Sequence, residues 1–107
     1  MTDLAIVICT FRREELLAQA LRSLAAQDRP ESLSARVIVV DNSDEGSAER
    51  VVSALAPDFP LPLVRIEAHP ANISVARNAG VAAADSTFLA FLDDDQEAEP
   101  GWLRAVD

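Results

Sequence analysis

The sequence predicts an α/β fold of the Rossmann-like, three-layer type, with a mostly parallel sheet of about four strands between helices. Apolar runs bounded by polar residues recur along the 107 residues and alternate with segments of helical spacing. Such alternation is typical of parallel sheets whose strands are joined by helices. Half of the residues are apolar, so one domain of this length can form a core.

The first five predicted elements are three strands and two helices. Residues 4 to 9 are a continuous run of mostly branched apolar side chains, as in a strand covered on both faces. Residues 14 to 27 follow as a helix, with two acids in the first turn and leucines at helical spacing. Residues 36 to 40 repeat the strand pattern, and residues 47 to 55 form the second helix. After a proline-rich loop, residues 63 to 66 form a short, partly exposed strand.

A third helix and a fourth strand complete the predicted pattern. Either Asn72 or Ser74 can cap a helix that runs to Ala84. Residues 87 to 92 read as a buried strand, and Pro100 indicates the start of a further helix. The small residues of the third helix that would allow close packing against the sheet are Ala76, Ala79, Gly80, Ala82 and Ala83.

The charge balance argues against several classes of partner. Eighteen acidic residues stand against nine arginines and no lysine, and the net charge of −9 would repel nucleic acid or an anionic membrane surface. No apolar stretch approaches the roughly 20 residues needed for direct insertion into a membrane. Without lysine and with three glycines, neither a P-loop nor a dinucleotide-binding glycine motif can be drawn. A single cysteine and the absence of an export-type segment predict a cytoplasmic protein.

The most informative segment is a run of three acids after an apolar stretch. Residues 88 to 92 are apolar, Asp93, Asp94 and Asp95 come next, and no Lys or Arg stands within eight residues on either side. Neighbouring carboxylates raise one another's pKa, so a compact fold must solvate them or neutralise them with a cation. If the strand continues through them, Asp93 and Asp95 point to one side and can share Mg²⁺ or Mn²⁺. The alternative is a solvated acidic loop.

Polar residues also follow the first and second predicted strands, at Thr10-Phe11-Arg12 and at Asp41-Asn42. Ligands of open α/β sheets bind outside the carboxyl ends of the strands, so one site could collect both groups and the three aspartates. Asp41 can accept a hydrogen bond from a ribose or a base N–H, and a metal on Asp95 can bridge phosphates. The arrangement predicts a nucleoside diphosphate as the ligand.

Four stretches, in the same order, resemble family 2 glycosyltransferases of the GT-A fold, over nearly the whole chain. They are residues 7–13 (VICTFRR), 38–43 (IVVDNS), 72–80 (NISVARNAG) and 91–95 (FLDDD) followed by PGWL. The first two are similar to the family's opening strand and turn, and to its second strand with the nucleoside-binding aspartate. The last two are similar to the segment that leads into the third helix, and to the D-x-D region with the helix after it.

The resemblance implies roles for the residues that match. Those it assigns to donor binding are Thr10, Phe11, Arg12, Asp41, Arg77, Asp93 and Asp94. Asp41 would hydrogen-bond the base, Asp93 or Asp94 would contact the ribose, and Asp95 would hold Mg²⁺ or Mn²⁺ on the diphosphate. The family more often has Tyr-Asn where this chain has Phe11-Arg12. For Arg77, a helix-surface salt bridge is the alternative.

Family 2 enzymes transfer a sugar from a nucleotide-diphosphate donor to an acceptor hydroxyl, with inversion. The resemblance therefore implies a metal-dependent transferase in which the ion neutralises the leaving diphosphate, with a sugar or a lipid-linked acceptor. It puts the general base beyond residue 107, since Glu97 and Glu99 follow the aspartates too closely. Cell-envelope polysaccharide synthesis in a bacterium is the expected context.

Two alternatives stay open at this point. A phosphoryl-accepting receiver domain has similar length and strand-end aspartates, although it needs a lysine that this sequence lacks. The chain could also be a nucleotide-binding piece that is catalytically silent by itself. We expect residues 1–107 to be a single nucleotide-sugar-binding domain, the GT-A nucleotide-binding half, cut short at its C-terminal end.

Overall fold

The computed structural model describes residues 2–27, 33–96, 98 and 101–103. In this part of the chain, four strands and three helices alternate, which confirms the predicted α/β class. Their bounds are β1 Thr2–Thr10, α1 Glu14–Ala25, β2 Leu33–Asp41, α2 Glu49–Leu55, β3 Leu63–Glu67, α3 Ile73–Ala84 and β4 Phe88–Phe91, with a 3₁₀ turn, Ala56–Asp58, after α2. Each element thus begins and ends close to where the apolar pattern predicts it.

All four strands are parallel and lie in the order β3-β2-β1-β4. β1 and β2 pair along their whole length, from Thr2 opposite Leu33 to Thr10 opposite Asp41. The chain therefore builds outwards from β1 to β3 and then returns to the far side of β1 to form β4. In open parallel sheets, such a reversal opens a crevice at the carboxyl ends of the two strands that flank it. Here those strands are β1 and β4.

Apolar layers cover both faces of the sheet, as the continuous apolar runs of β1 and β2 require. On one face, Ile6 and Val39 pack with the leucines of α1 and with α2. On the other face, Val7 and Val40 pack with the small residues of α3. The predicted three-layer arrangement is therefore confirmed for the described residues.

The third helix lies very close to the sheet. Ala76 and Gly80 are buried, and a Cβ built on Gly80 would lie only 2.5 Å from a methyl carbon of Val7. Because Val7 is a buried, branched side chain, it has little room to give way. Gly80 therefore determines how closely α3 approaches β1. The expectation that Ala82 and Ala83 also face the sheet is wrong, since both are exposed on the outer side of the helix.

The fourth strand differs from its prediction. Its apolar run predicted burial, but Phe88 and Phe91 are 56% and 43% exposed. The cause is the position of β4 at the edge of the sheet, where β1 flanks it on one side only. The strand also ends at Phe91, so the aspartates belong to the turn that follows. The strand alternation expected for Asp93 and Asp95 therefore does not apply.

The end of the chain bears on two further expectations. Residues 102 and 103 are helical, and Trp102 packs against the core. The predicted helix start at Pro100, and the acids Glu97 and Glu99, lie outside the described residues. Within the described ranges, no helix combines the length and the apolar character that a membrane crossing requires.

Candidate functional site

An open cavity of about 480 Å³ lies at the carboxyl edge of the sheet. Its lining comes from the ends of β1 and β4, from the residue after β2, and from the start of α3. The size falls within the range of small-molecule sites, and the place is the crevice that the strand order creates. The predicted gathering of three strand ends around one space is therefore confirmed.

Two side chains at the end of β1 line the cavity and are largely withdrawn from solvent. Thr10 is buried, and its hydroxyl has no hydrogen-bond partner within the part of the chain that the structure describes. A buried hydroxyl without a partner is costly, so a ligand that bonds to it would recover that free energy. Cys9 is half-buried beside it. Burial raises the pKa of the Cys9 thiol, and the positive charge of Arg77 lowers it by a smaller amount. The thiol is therefore uncharged at neutral pH.

The two residues after β1 contact each other but differ in whether they line the cavity: the centre of the Arg12 guanidinium lies 5.0 Å from the centroid of the Phe11 ring. Phe11 lines the cavity with its ring partly exposed. Arg12 has a positive φ of 54°, its backbone N–H donates to the Ser47 hydroxyl at 3.2 Å, and its guanidinium pairs with Glu45. These contacts direct Arg12 to the loop after β2, and it does not line the cavity.

Asp41 ends β2 with its carboxylate fully buried. Its Oδ1 atom accepts hydrogen bonds from the backbone N–H and the hydroxyl of Ser43, at 3.0 and 2.7 Å. Its Oδ2 atom accepts from the backbone N–H of Ala48 at 2.9 Å and from the Arg65 guanidinium at 3.4 Å. Burial alone would raise the pKa of Asp41, but these hydrogen bonds and Arg65 outweigh it and lower the pKa. The carboxylate fastens the loop that leads into α2.

Asn42, the next residue, lines the cavity and ties β2 to the start of α3. Its side-chain amide donates to the carbonyl oxygens of Ala68 and Pro70, at 2.7 and 3.2 Å. Its side-chain oxygen accepts from the backbone N–H of Asn72 at 2.8 Å. Asn72 in turn caps α3, since its side-chain oxygen accepts from two backbone N–H groups of the first turn. The cap predicted at Asn72 or Ser74 is thus Asn72.

Arg77 projects from α3 into the cavity, where it meets the last residue of β4. The centre of its guanidinium lies 5.7 Å from the centroid of the Phe91 ring, a cation–π distance. This contact holds a positive charge beside an open space. Arg77 takes part in none of the ion pairs between described residues, so the alternative of a helix-surface salt bridge is not supported.

The turn after β4 carries the three aspartates into the cavity lining. Asp94 is buried and accepts a hydrogen bond from Arg13 Nη1 at 3.3 Å, and Asp95 Oδ2 lies 3.7 Å from the same nitrogen. Asp93 is exposed, and the turn is closed by Gln96, whose side-chain oxygen accepts from the Asp93 N–H at 3.2 Å. The carboxylates that the structure brings together around one positive centre are therefore Asp94 and Asp95.

The chemistry of these carboxylates suits a divalent cation. Because one nitrogen lies within 4 Å of oxygens from both Asp94 and Asp95, a single ion can reach both after a small adjustment. Mg²⁺ and Mn²⁺ prefer oxygen ligands, and Mg²⁺ usually takes only one or two carboxylates with substrate phosphates. Among the described residues, no group of three or more acids, histidines and cysteines forms a self-sufficient metal site. The remaining ligands would have to come from water and a bound phosphate compound.

The model of the family "Glycosyl transferase family 2" matches residues 5–106. The chain belongs to glycosyltransferase family 2. It is 46% identical over 101 residues to the succinoglycan biosynthesis protein ExoM of Rhizobium meliloti (strain 1021), and 33% identical over 103 residues to the uncharacterized glycosyltransferase YwdF of Bacillus subtilis (strain 168). These alignments cover 94% and 96% of this chain, but 32% and 36% of the two relatives. The chain thus spans about a third of the length of these curated relatives.

A solved structure supports the same fold assignment. Residues 1–349 of the TarS protein of Staphylococcus aureus superpose with a TM-score of 0.80 and 23% identity, covering 97% of this chain and 31% of that one. At this identity the likeness concerns the fold, so this glycosyltransferase chain has the architecture of the nucleotide-binding half of the GT-A fold. The receiver alternative is thereby set aside.

Most of the predicted donor-binding residues of this glycosyltransferase chain line one cavity. They are Thr10, Phe11, Arg77, Asp93, Asp94 and Asp95, whereas Arg12 and Asp41 lie outside the lining. Their assigned contacts stay predictions. Sequence reasoning did not single out Arg13, which reaches the aspartates from the neighbouring strand end, or the fastening role of Asn42. Both residues lie shortly after a predicted buried strand, which places them near the carboxyl edge of the sheet but does not indicate their partners.

Proposed function

We propose that this chain binds the nucleoside-diphosphate part of a sugar donor in the cavity, and that the whole protein transfers the sugar, with inversion, to an acceptor hydroxyl. The observation that carries the proposal is the composition of the lining. One open space is surrounded by the Thr10 hydroxyl, which has no hydrogen-bond partner among the described residues, by the guanidinium of Arg77 and by the acidic turn at residues 93–95. The similarity to the succinoglycan biosynthesis protein ExoM, and the solved structures of TarS in complex with UDP and with UDP-GlcNAc, support the proposal.

In this proposal, the nucleoside lies against the β1 side of the cavity. Thr10 would exchange a hydrogen bond with the base or ribose, and the partly exposed ring of Phe11 offers a stacking surface. For Asp41 to accept from a base N–H, that donor would replace Arg65, whose 3.4 Å contact is the longest of the four to the carboxylate. Arg12 would need to leave Glu45 to reach the nucleoside.

The diphosphate lies between the acidic turn and Arg77. Among the charged side chains of the lining, two arginines face three aspartates, so the cavity by itself does not favour an anion. Mg²⁺ or Mn²⁺ held by Asp95 with Asp94 would reverse that balance, and Asp93 stays a predicted contact of the ion or the ribose. When bound, the ion would stabilise the negative charge of the leaving diphosphate. Arg77, held beside Phe91, would orient a phosphate oxygen.

The remaining parts of the reaction belong to the whole protein. Inversion requires a base on the face of the sugar opposite the diphosphate, and we expect it beyond residue 107. A sugar or lipid-linked hydroxyl is the proposed acceptor, and cell-envelope polysaccharide synthesis is the proposed context. Dependence on a metal and a cytoplasmic location also stay predictions.

Calorimetric titration tests the donor-binding step on this chain. UDP, GDP and dTDP are titrated with and without Mn²⁺, into the unaltered chain and into Asp95→Ala. We expect one nucleotide to bind with a clear dependence on Mn²⁺, and this dependence to disappear in Asp95→Ala. Asp58→Ala removes the same charge at an exposed position in the 3₁₀ turn outside the cavity, and should bind like the unaltered chain.

Two results would contradict the proposal. Equal binding of the nucleotide with and without Mn²⁺ would show that the site does not use a metal. If none of the three nucleotides binds, the proposed donor site is wrong. The stereochemical part needs the whole protein with donor and acceptor. A product with the anomeric configuration of the donor, measured by NMR, would contradict inversion.

A further inference from the structure

The acidic turn already has a positive partner, supplied by a distant part of the sequence. Arg13 Nη1 lies 3.3 Å from Asp94 Oδ1 and 3.7 Å from Asp95 Oδ2. Asp94 is buried, whereas the side chains of Arg13 and Asp95 are about half exposed. Burial makes the Asp94 carboxylate depend on a nearby positive charge, since an unpaired buried charge is costly.

The backbone fixes where Arg13 begins but leaves its side chain free to move. Arg13 is the residue before α1, and its carbonyl oxygen accepts the N–H of Leu17 at 2.8 Å. Its side chain makes no capping hydrogen bond, and about half of it is exposed. The guanidinium can therefore leave the aspartates by rotating about its own side-chain bonds, without any change in β1 or α1.

We infer that Arg13 is the resident counter-ion of Asp94 and Asp95, and that it competes with the divalent cation for them until the diphosphate of the donor draws it away. This inference rests on the proposed function. A cation bound to both carboxylates would occupy the space between their oxygens that the Arg13 nitrogen now approaches. Two positive centres this close repel strongly, so the guanidinium must move when the ion binds.

The diphosphate gives the displaced guanidinium a new partner. Guanidinium groups match phosphate oxygens with two parallel hydrogen bonds, and Arg13 lines the same cavity as the aspartates. Metal binding and nucleotide binding would then strengthen each other, because the nucleotide removes the competitor of the metal. Such a coupling is reciprocal: each ligand tightens the other by the same factor.

The test measures Mn²⁺ affinity directly, by electron paramagnetic resonance of the free ion, with no need for transferase activity. The chains compared are the unaltered protein, Arg13→Gln and Arg22→Gln. Arg22 is an exposed residue of α1 outside the cavity lining, and its change removes the same charge. Each chain is measured alone and with saturating UDP.

Without UDP, we expect Arg13→Gln to bind Mn²⁺ about tenfold more tightly than the unaltered chain. The reason is that the substitution removes one charge-assisted hydrogen bond that competes with the ion for the aspartates. Arg22→Gln should stay within about twofold of the unaltered chain, since a distant exposed charge is screened. Saturating UDP should tighten Mn²⁺ binding to both chains, because its diphosphate supplies ligands to the ion. The tightening should be larger for the unaltered chain, where UDP also draws Arg13 away from the aspartates.

The contrary outcomes separate this inference from the proposed function. If UDP binding depends on Mn²⁺ but Arg13→Gln binds Mn²⁺ no more tightly than Arg22→Gln, the competition is wrong and the donor site stands. If none of the chains binds Mn²⁺ even with UDP, the metal site and the competition are both wrong. A circular dichroism spectrum of Arg13→Gln that matches the unaltered chain ensures that the comparison concerns folded protein.

Discussion

Replacing Asp41 by asparagine tests the interpretation of this buried carboxylate most directly. The carboxylate accepts four hydrogen bonds, two on each oxygen. Asparagine has nearly the same shape but only one acceptor oxygen, and its other terminal group is a donor. Whichever way the amide is turned, the backbone N–H of Ser43 or of Ala48 faces that donor and loses its acceptor in a buried place.

The expected cost follows from these contacts. A buried donor left without a partner costs about 1–3 kcal/mol, and the weaker hydrogen bonds to a neutral acceptor add about 1 kcal/mol. We therefore expect Asp41→Asn to lower the free energy of unfolding by about 2–4 kcal/mol at pH 7. The whole free energy of unfolding of a small domain is only about 5–15 kcal/mol, so this loss is a large part of it.

The difference between the two proteins should also depend on pH. The folded-state pKa of Asp41 is lowered from its ordinary value of 3.8. The charged carboxylate therefore contributes stability that is fully present above that value and is lost as the pH falls through the folded-state pKa. Asparagine does not titrate, so the gap between Asp41→Asn and the unaltered chain should narrow below about pH 4.

Urea unfolding, followed by circular dichroism at pH 7 and at several values down to pH 3, measures both effects. The matched control is Asp44→Asn in the same loop. The Asp44 side chain is 81% exposed and contacts only His69 among the ion pairs of the described residues, so we expect a loss below about 1 kcal/mol. If Asp41→Asn is no less stable than Asp44→Asn, the fastening role argued for the buried carboxylate is incorrect.

Three further predictions concern the helix and the thiol beside the cavity. Gly80→Ala should destabilise the chain by about 1–3 kcal/mol in urea, since the new carbon would lie 2.5 Å from Val7. The control is Ala82→Gly, at an exposed position of the same helix, which measures the difference in helix propensity between alanine and glycine, about 1 kcal/mol. This difference alone would make Gly80→Ala stabilising. Asn72→Ala should cost about 1 kcal/mol of unfolding free energy through loss of the α3 cap; an unchanged urea midpoint would contradict the capping role. Cys9 should react slowly with iodoacetamide at pH 7, because burial raises the pKa of its thiol. UDP with Mn²⁺ should slow the reaction further. A reaction as fast as that of a free thiol would show that the cavity is more open at Cys9 than described.

The central part of the fold could be predicted because local sequence decides it. A strand covered on both faces must be apolar along its buried length, which is what residues 4 to 9 and 37 to 40 show. The edge position of β4 could not be predicted in the same way, since an apolar run has the same pattern at the edge as in the centre. Exposure there depends on which strands flank β4, and strand order is a long-range property.

The candidate site was predictable to a similar extent. Parallel strands end at the same edge of a sheet, so Thr10 and the aspartates could be expected around one space, and the structure confirms this. The contact of Arg13 with Asp94 spans 81 positions of the sequence, and no local pattern announces it. A search for cations near the aspartates along the sequence misses Arg13, because β1 and β4 become neighbours only when the sheet forms.

The two sides of the cavity are built differently, and this difference bears on how a donor would bind. On the β2 side, buried hydrogen bonds of Asp41 and Asn42 hold the loops in place. On the β4 side, an exposed edge strand leads into a turn whose charge is balanced by a half-exposed arginine. A ligand on the first side meets groups that are already ordered, so binding there loses little conformational freedom. On the second side, Arg13 must leave the aspartates when an ion binds to them. Under the proposed function, nucleoside recognition would therefore depend mainly on the ends of β1 and β2. The coupling between metal binding and diphosphate binding would depend on the turn after β4.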